Sequence, residues 1–208
     1  MSLEMHKIGV LGGSFDPVHL GHLVVAEVAY EKMGLDKVYF IPAAQSPLKE
    51  GKPEATAADR MAMLNAALDP YPQFEVLDFE ILAGGISYTF DSVSHLAALL
   101  PECRLFWIIG ADQVAALPRW HRVTELAEQI EFVGIPRPGY LLENPGVANL
   151  RIHEIEVRSQ DISSREIRAR VKENLPVSLF LPEKVDKFIK ARGLYQESRT
   201  SGVSSNPI

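Results

Sequence analysis

Residues 12–22 read GGSFDPVHLGH and join a short apolar run, Lys7–Leu11, to a helix-like stretch, Leu20–Met33. A turn of this kind, from a buried strand into a helix, is typical of open α/β sheets, in which ligands bind at the carboxyl ends of the strands. Gly12 and Gly13 have no Cβ, so the backbone can approach a ligand closely at this point. Because the first amides of a helix carry partial positive charge, the segment predicts a phosphate-binding turn.

Two histidines close this segment. His19 and His22 are spaced i, i+3, so that in a first helical turn they share one face, and Gly21 between them leaves room for a ligand or for neighbouring backbone. Imidazoles donate hydrogen bonds to phosphate oxygens, and a nearby polyphosphate favours their protonated form. Together with the amides of Ser14 and Phe15, such donors suit a phosphoryl-type transfer, in which developing charge must be stabilised. A zinc site is disfavoured, because neither a cysteine cluster nor an H-E-x-x-H motif accompanies the histidines.

The rest of the chain alternates between strand-like and helix-like stretches, which predicts a parallel sheet with crossover helices. The apolar character of Arg104–Ile109 favours a place for this strand at the sheet centre. Ser163 and Glu166 have the spacing of a capping box and predict a helix that runs to about Asn174. Further strands are predicted at Lys37–Pro42, Phe74–Ile81, Glu131–Ile135 and Arg151–Val157, and further helices at Ala57–Leu68, Phe90–Leu100, Val123–Gln129 and from Pro182 to before Gly193.

Composition narrows the class of protein. The 208 residues carry a net charge of −6, which disfavours a nucleic-acid partner because such proteins usually have a basic excess. Cys103 is the only cysteine, and the sequence has neither a secretory h-region nor an apolar run long enough to span a membrane. We therefore expect a cytoplasmic protein without a membrane partner. We expect one domain over residues 6–195 and a disordered tail over 196–208, and the sequence leaves the oligomeric state, including a homo-oligomer, open.

Two separated segments resemble the signatures of the HxGH nucleotidylyltransferase superfamily. Residues 13–22 match G-S-F-D-P-x-H-x-G-H, and residues 162–168, Ile-Ser-Ser-Arg-Glu-Ile-Arg, match I-S-S-T-x-I-R except that Arg165 stands where threonine is usual. The resemblance implies a single-domain, Rossmann-like, doubly wound α/β fold with a mainly parallel sheet and flanking helices. It also implies that the phosphate of a mononucleotide attacks the α-phosphate of ATP, usually with Mg²⁺, and that pyrophosphate leaves.

The same resemblance assigns phosphate contacts. It implies that His19 and His22 bind the ATP phosphates, with His22 nearest the transferring group. Ser163 and Arg168 hold the outgoing phosphates at the start of the late helix. Taken without the resemblance, Ser163 is an ordinary helix cap and Arg168 lies on a solvated helix face.

Within the superfamily the chain is most similar to bacterial nicotinate-nucleotide adenylyltransferases, over roughly Lys7 to Tyr195. Its G-A-D segment, Gly110 to Asp112, and the following Trp120 resemble the G-A-D…W-x-R region of that family. The resemblance implies that Asp112, at a strand end, accepts hydrogen bonds from ribose hydroxyls and that Trp120 stacks on the pyridine ring. A tryptophan packed in the core is the alternative for Trp120.

Three shorter segments extend this similarity. Tyr88 and Thr89 belong to an S-Y-T segment at a helix start, where the family receives the nicotinate carboxylate; the alternative is an N-cap at Thr89. Arg137 begins an Arg-Pro-Gly-Tyr turn that resembles a segment on the adenosine side. Lys49 ends a segment similar to P-P-H-K, with Ser46 in place of the first proline and Leu48 in place of histidine, and is expected to contact a phosphate.

The resemblance therefore implies an enzyme that transfers the adenylyl group of ATP to nicotinate mononucleotide, giving deamido-NAD and pyrophosphate in NAD biosynthesis. One alternative is an acceptor other than the acid, such as nicotinamide mononucleotide. The other is a nucleotide-binding regulatory module without catalysis, which Arg165 and the altered loop before Lys49 suggest. The presence of both His19 and His22 argues against the regulatory module.

Overall fold

The fold is built on a parallel sheet. A computed structural model describes residues 5–48, 51–157 and 162–196. Within them, six strands lie in the order β3-β2-β1-β4-β5-β6, and every neighbouring pair is parallel. The strands are β1 (His6–Gly13), β2 (Lys37–Pro42), β3 (Phe74–Val76), β4 (Cys103–Gly110), β5 (Glu131–Ile135) and β6 (Ile152–Glu154). This is the strand order of the doubly wound Rossmann fold, so the predicted fold class is confirmed.

The connections between strands are helical. The helices are α1 (Leu20–Met33), α2 (Ala57–Leu68), α3 (Phe79–Ala83), α4 (Thr89–Leu99), α5 (Ala111–Ala116), α6 (Val123–Gln129), α7 (Ser164–Lys172) and α8 (Glu183–Arg192), with a 3₁₀ turn at Leu117–Arg119. Local chemistry explains several ends. Gly34 stops α1 in the left-handed conformation, at φ 59°, and the Thr56 hydroxyl caps α2 by accepting the Asp59 amide at 3.1 Å.

Helices cover both faces of the sheet. Along β4, side chains alternate between two apolar clusters: Phe106 and Ile108 pack in one, and Leu105, Trp107 and Ile109 in the other. The first cluster also receives α1, α2, α7 and α8, and the second receives α4, α5 and α6. Because β4 is buried on both faces and lies beside β1 in the middle of the sheet, its predicted central place is confirmed.

Two strand predictions were too long, and two short helices, α3 and α5, were not predicted. The strand predicted at Phe74–Ile81 ends at Val76, because the chain turns at Asp78 into the short helix α3. The strand predicted at Arg151–Val157 is only Ile152–Glu154. Helix α5 has six residues, too few to show a helical period in the sequence.

Parts of the prediction concern residues beyond the described ranges. Lys49 lies outside the described residues, as does the predicted tail from residue 197 onward. Among the residues that are described, no helix is long and apolar enough to cross a membrane.

Candidate active site

The candidate site lies at the carboxyl ends of the neighbouring strands β1 and β4. From β1 the chain continues to β2, toward one edge of the sheet, and from β4 it continues to β5, toward the other edge. The carboxyl end of β1 carries Gly12 and Gly13, and that of β4 carries Gly110. In open α/β sheets this reversal of strand order forms the ligand crevice. Packing also requires the glycines. A methyl group on Gly12 would lie 3.0 Å from the Trp107 ring, and one on Gly110 would lie 2.5 Å from Asp112 Oδ1.

The two signature histidines form a stacked pair at the start of α1. The rings of His19 and His22 are 3.7 Å apart between centroids, at an interplanar angle of 24°. The Phe15 ring meets His22 edge-on at 5.0 Å, and Phe15 itself has a left-handed backbone, at φ 46°. Gly21 was predicted to leave room between the histidines, and the His19 ring fills that room. A methyl group on Gly21 would lie 3.1 Å from His19 Nδ1.

Hydrogen bonding fixes how His22 can act. Its Nδ1 accepts the backbone N–H of His19 at 3.2 Å. In the neutral imidazole the proton therefore resides on Nε2, which makes that nitrogen a donor. This tautomer suits a group that must donate to a phosphate oxygen.

His19 differs from His22 because it is buried. Desolvation and the positive charge of Arg137 lower the pKa of His19 from 6.5 to about 4. In the free protein at neutral pH, His19 is therefore uncharged, unlike the protonated form expected beside a polyphosphate. Its Nδ1 is buried and has no hydrogen-bond partner within the described part of the chain.

The loop between β1 and α1 is tied to distant parts of the chain. The buried Arg60 of α2 donates from one guanidinium nitrogen to the Ser14 carbonyl at 2.7 Å and to the Ala43 carbonyl at 2.8 Å. The Leu20 amide donates to the Phe180 carbonyl at 2.9 Å. These bonds hold the loop from two sides, between the end of β2 and the segment before α8.

The second signature docks directly on the first. The Ser164 hydroxyl donates to the Pro17 carbonyl at 2.9 Å, across a separation of 147 residues. Arg168 donates to the Asp16 carbonyl at 2.7 Å and to Glu54 Oε1 at 2.8 Å. The Ser163 hydroxyl accepts the Glu166 amide at 3.2 Å, which confirms the predicted cap at this helix start.

Arg165, which stands where the second signature usually has threonine, is exposed at the protein surface. Its neighbour in the motif, Arg168, is instead half-buried and fixed by its bonds to Asp16 and Glu54. The two arginines therefore face different surroundings, and only Arg168 is held against the first signature.

Asp112 and Arg137 meet beside the end of β4. The Arg137 Nε lies 3.4 Å from Asp112 Oδ1, and Arg137 closes a turn by a bridge to Tyr140. Because Arg137 also lowers the pKa of His19, it places positive charge near the histidine pair. The structure thus brings the predicted ribose and adenosine residues to the same edge of the sheet.

The predicted pyridine-side residues lie around the start of α4. Thr89 is the first residue of that helix and Tyr88 is its N-cap, so the alternative of an N-cap at Thr89 is wrong. The Tyr88 ring lies 4.8 Å from that of His121, which joins the two segments. Trp120 packs edge-on against Phe132, at 6.3 Å, on the second apolar cluster.

Sequence reasoning missed several residues that hold the site. Asp16 was quoted within the signature but given no role, and Arg60, Glu54 and Tyr195 were not considered. A charged residue such as Arg60 within an otherwise apolar helix face was the one available signal, since buried arginines are rare unless paired. The contacts of Asp16 and Tyr195 depend on tertiary structure alone.

The fold and this site define a Rossmann-like nucleotide-binding protein of the HxGH class. The cytidylyltransferase-like family model matches residues 10–170. The "Probable nicotinate-nucleotide adenylyltransferase" of Opitutus terrae is 43% identical, over 93% of this chain and 100% of its own. The nicotinate-nucleotide adenylyltransferase of Bacillus subtilis is 38% identical, over 92% of this chain and 100% of its own. The chain therefore belongs to the nicotinate-nucleotide adenylyltransferases of the cytidylyltransferase-like family.

Solved structures agree on the fold. The Plasmodium falciparum nicotinic acid mononucleotide adenylyltransferase, complexed with NaAD, superposes with a TM-score of 0.75. The match covers 91% of this chain and 97% of that one, at 17% identity. At that identity the likeness concerns the fold alone.

Proposed function

We propose that this protein transfers the adenylyl group of ATP to nicotinate mononucleotide, giving deamido-NAD and pyrophosphate in NAD biosynthesis. An oxygen of the mononucleotide 5′-phosphate attacks the α-phosphorus of ATP. The bond from that phosphorus to the bridging oxygen breaks, and the electron pair leaves with pyrophosphate. No covalent enzyme intermediate is formed, so catalysis consists of positioning and of charge stabilisation.

The observation that carries the proposal is the docking of the two signatures at the sheet's switch point. The bonds from Ser164 to Pro17 and from Arg168 to Asp16 join segments about 150 residues apart into one wall of the crevice. The stacked His19–His22 pair lies where the same loop enters α1. An isolated glycine-rich turn has many uses, whereas this combination suits a polyphosphate.

We assign the ATP side of the site as follows. His22 donates from Nε2 to the transferring phosphate, and neutral His19 supports its ring by stacking. Ser163 and Arg168, at the start of α7, hold the outgoing phosphates, and α7 adds the positive end of its dipole. The remaining ATP contacts in the proposal are Gly12, Gly13, Ser14, Phe15, Lys49, Gly110, Asp112 and Arg137.

We assign the acceptor side to the start of α4. Its first amides and Thr89 receive the nicotinate carboxylate, beside the ring of Tyr88. Trp120, whose ring meets Phe132 edge-on, stacks on the pyridine ring. A carboxylate gains more from helix-end amides than an uncharged amide does, which favours the acid over nicotinamide mononucleotide.

Mg²⁺ fits this chemistry as part of the ATP complex. Magnesium is usually bound through substrate phosphates, with several waters retained, and it would neutralise charge on the polyphosphate. The described residues hold no group of three or more His, Cys, Asp or Glu side chains that could bind a metal. We also propose a cytoplasmic location, in keeping with the unpaired Cys103 and with ATP as substrate.

The test is pyrophosphate release from ATP and Mg²⁺, with either nicotinate or nicotinamide mononucleotide as acceptor. We expect strong release with the acid and little with the amide, expressed as a ratio of kcat/KM values. Comparable kcat/KM values with both mononucleotides would favour the alternative in which the acceptor is not restricted to the acid. Release with neither, from folded protein that still binds ATP, would favour another phosphorylated acceptor or the regulatory module without catalysis.

A further inference from the structure

A buried carboxylate lies under the phosphate-binding loop. Asp16 is only 4% exposed, and its carboxylate is held by three donors. Oδ2 accepts the Glu54 amide at 2.8 Å, and Oδ1 accepts the Ala55 amide at 3.0 Å. The third donor is the hydroxyl of Tyr195, which donates to Oδ1 at 2.8 Å from 179 residues further along the chain.

The end of α8 brings Tyr195 to this position. Gly193 stops the helix in the left-handed conformation, at φ 61°, and the Leu194 amide donates to the Ile189 carbonyl at 3.1 Å. This arrangement turns the chain back toward the sheet. Tyr195 itself has a left-handed backbone, at φ 61°, and the residue is only 7% exposed within the first apolar cluster.

We propose that Tyr195 is a positioning residue for adenylyl transfer, which holds Asp16 and thereby sets the loop that carries the histidine pair and the Arg168 contact. The inference rests on the proposed function. It adds to the site a residue that lies beyond both signatures. Because Tyr195 is buried and its hydroxyl donates to Asp16, we expect it to act through Asp16.

The geometry gives a physical reason for this coupling. Arg168 already lies 3.8 Å from Asp16 Oδ2 and bonds to the Asp16 carbonyl. Without the Tyr195 hydroxyl, the buried carboxylate loses one of three donors, and an unsatisfied buried charge draws the nearby guanidinium toward itself. Arg168 would then be held away from the polyphosphate, and the loop leading to His19 would shift with it.

The tyrosine is also fixed in its donor form. Burial and the neighbouring charge of Asp16 raise the pKa of the Tyr195 phenol far above its usual value. The hydroxyl therefore keeps its proton throughout the working pH range. A phenylalanine at this position keeps the ring and its packing and removes the donor alone.

The first test compares Tyr195→Phe with Tyr71→Phe. Tyr71 is a matched control, because its partly buried ring packs on the same apolar cluster, against Phe74, at the opposite end of the strands. For Tyr195→Phe we expect kcat/KM for ATP to fall by about tenfold to 150-fold, the range for one hydrogen bond to a charged group. The KM for the mononucleotide stays within about twofold, because the start of α4 does not contact Asp16. Tyr71→Phe should leave both values at the wild-type level.

A double-mutant cycle with Asp16→Asn tests the route of the effect. If Tyr195 acts through Asp16, then Tyr195→Phe should cause little further loss in the Asp16→Asn background. Independent, multiplying losses would overturn the proposal. So would a Tyr195→Phe enzyme with the kinetics of Tyr71→Phe, or one whose activity loss merely follows its folded fraction in thermal unfolding.

Calorimetric binding of ATP with Mg²⁺ separates this proposal from the assigned reaction. An inert wild-type protein would refute the reaction, yet a weaker affinity for ATP in Tyr195→Phe than in Tyr71→Phe would still support positioning of the phosphate loop. Equal ATP affinities would refute it. Should Tyr195→Phe fail to fold, the ATP affinity of Asp16→Asn decides, and an unchanged affinity overturns the proposal.

Discussion

Gly21→Ala is expected to displace the His19 ring while leaving the stability of the fold nearly unchanged. The new methyl group would lie 3.1 Å from His19 Nδ1 and 3.2 Å from Cε1, so the ring must move by a few tenths of an ångström. The backbone of Gly21 is helical, and alanine is favoured over glycine within helices by up to about 1 kcal/mol. This gain offsets a modest cost of crowding, and we expect the melting temperature to stay within about 4 °C of wild type.

Activity should respond much more strongly. His19 stacks on His22 at 3.7 Å, so a displaced His19 ring also displaces the proposed donor. Small misplacements of catalytic groups are costly, and we expect kcat to fall by about tenfold to a hundredfold. Pyrophosphate release and thermal unfolding would be measured together, with Glu31→Ala, in the exposed last turn of the same helix, as control. A kcat within about threefold of wild type at an unchanged melting temperature would refute this role for the ring.

Three further predictions follow from the same site. His22→Ala removes the proposed donor and should lower kcat by about 10²–10³, and a loss below about tenfold would contradict the assignment. Trp120→Ala should raise the KM for the mononucleotide more than that for ATP, and lower the melting temperature because the ring packs on Phe132; equal effects on both KM values would count against stacking. His19 has a lowered pKa, so the unfolded chain binds its proton first. The free energy of unfolding should therefore fall by up to about 3 kcal/mol as pH falls from 6.5 toward 4, and His19→Gln should remove that part of the pH dependence.

The sequence predicted most of the fold because its elements are long and regularly patterned. Helices Leu20–Met33, Ala57–Leu68 and Val123–Gln129 lie where the pattern predicts them, and the first two have recognisable stop signals at Gly34 and at Asp69-Pro70. The failures are short elements. Helix α3 has five residues and follows β3 after two residues, so a continued alternation of apolar and polar residues resembled one longer strand.

The candidate site likewise has features that the sequence could predict and features that it could not. The family resemblance implied that the two signatures serve the same phosphates, and local chemistry supported each segment separately, as a glycine turn with paired histidines and as a capped helix. The neutral state of His19 could not be predicted, since it depends on burial and on the charge of Arg137, which lies in the turn that follows β5. The bonds of Arg60 to the Ser14 and Ala43 carbonyls likewise exist only once β1, β2 and α2 are packed.

The protein can bind a polyphosphate despite its net charge of −6, because the arginines near the phosphate-binding loop differ in the groups to which they are bonded. Arg60 is buried and bonded to two carbonyls, so it shapes the loop and is not available to exchange partners. Arg168 and Arg137 pair with the partly exposed carboxylates of Glu54 and Asp112, and Arg168 also donates to the Asp16 carbonyl. Partly exposed ion pairs contribute only about 0–1 kcal/mol each, so under the proposed function a polyphosphate would replace the two carboxylates at small cost. The bond to the Asp16 carbonyl would remain and would keep the Arg168 side chain ordered during this exchange.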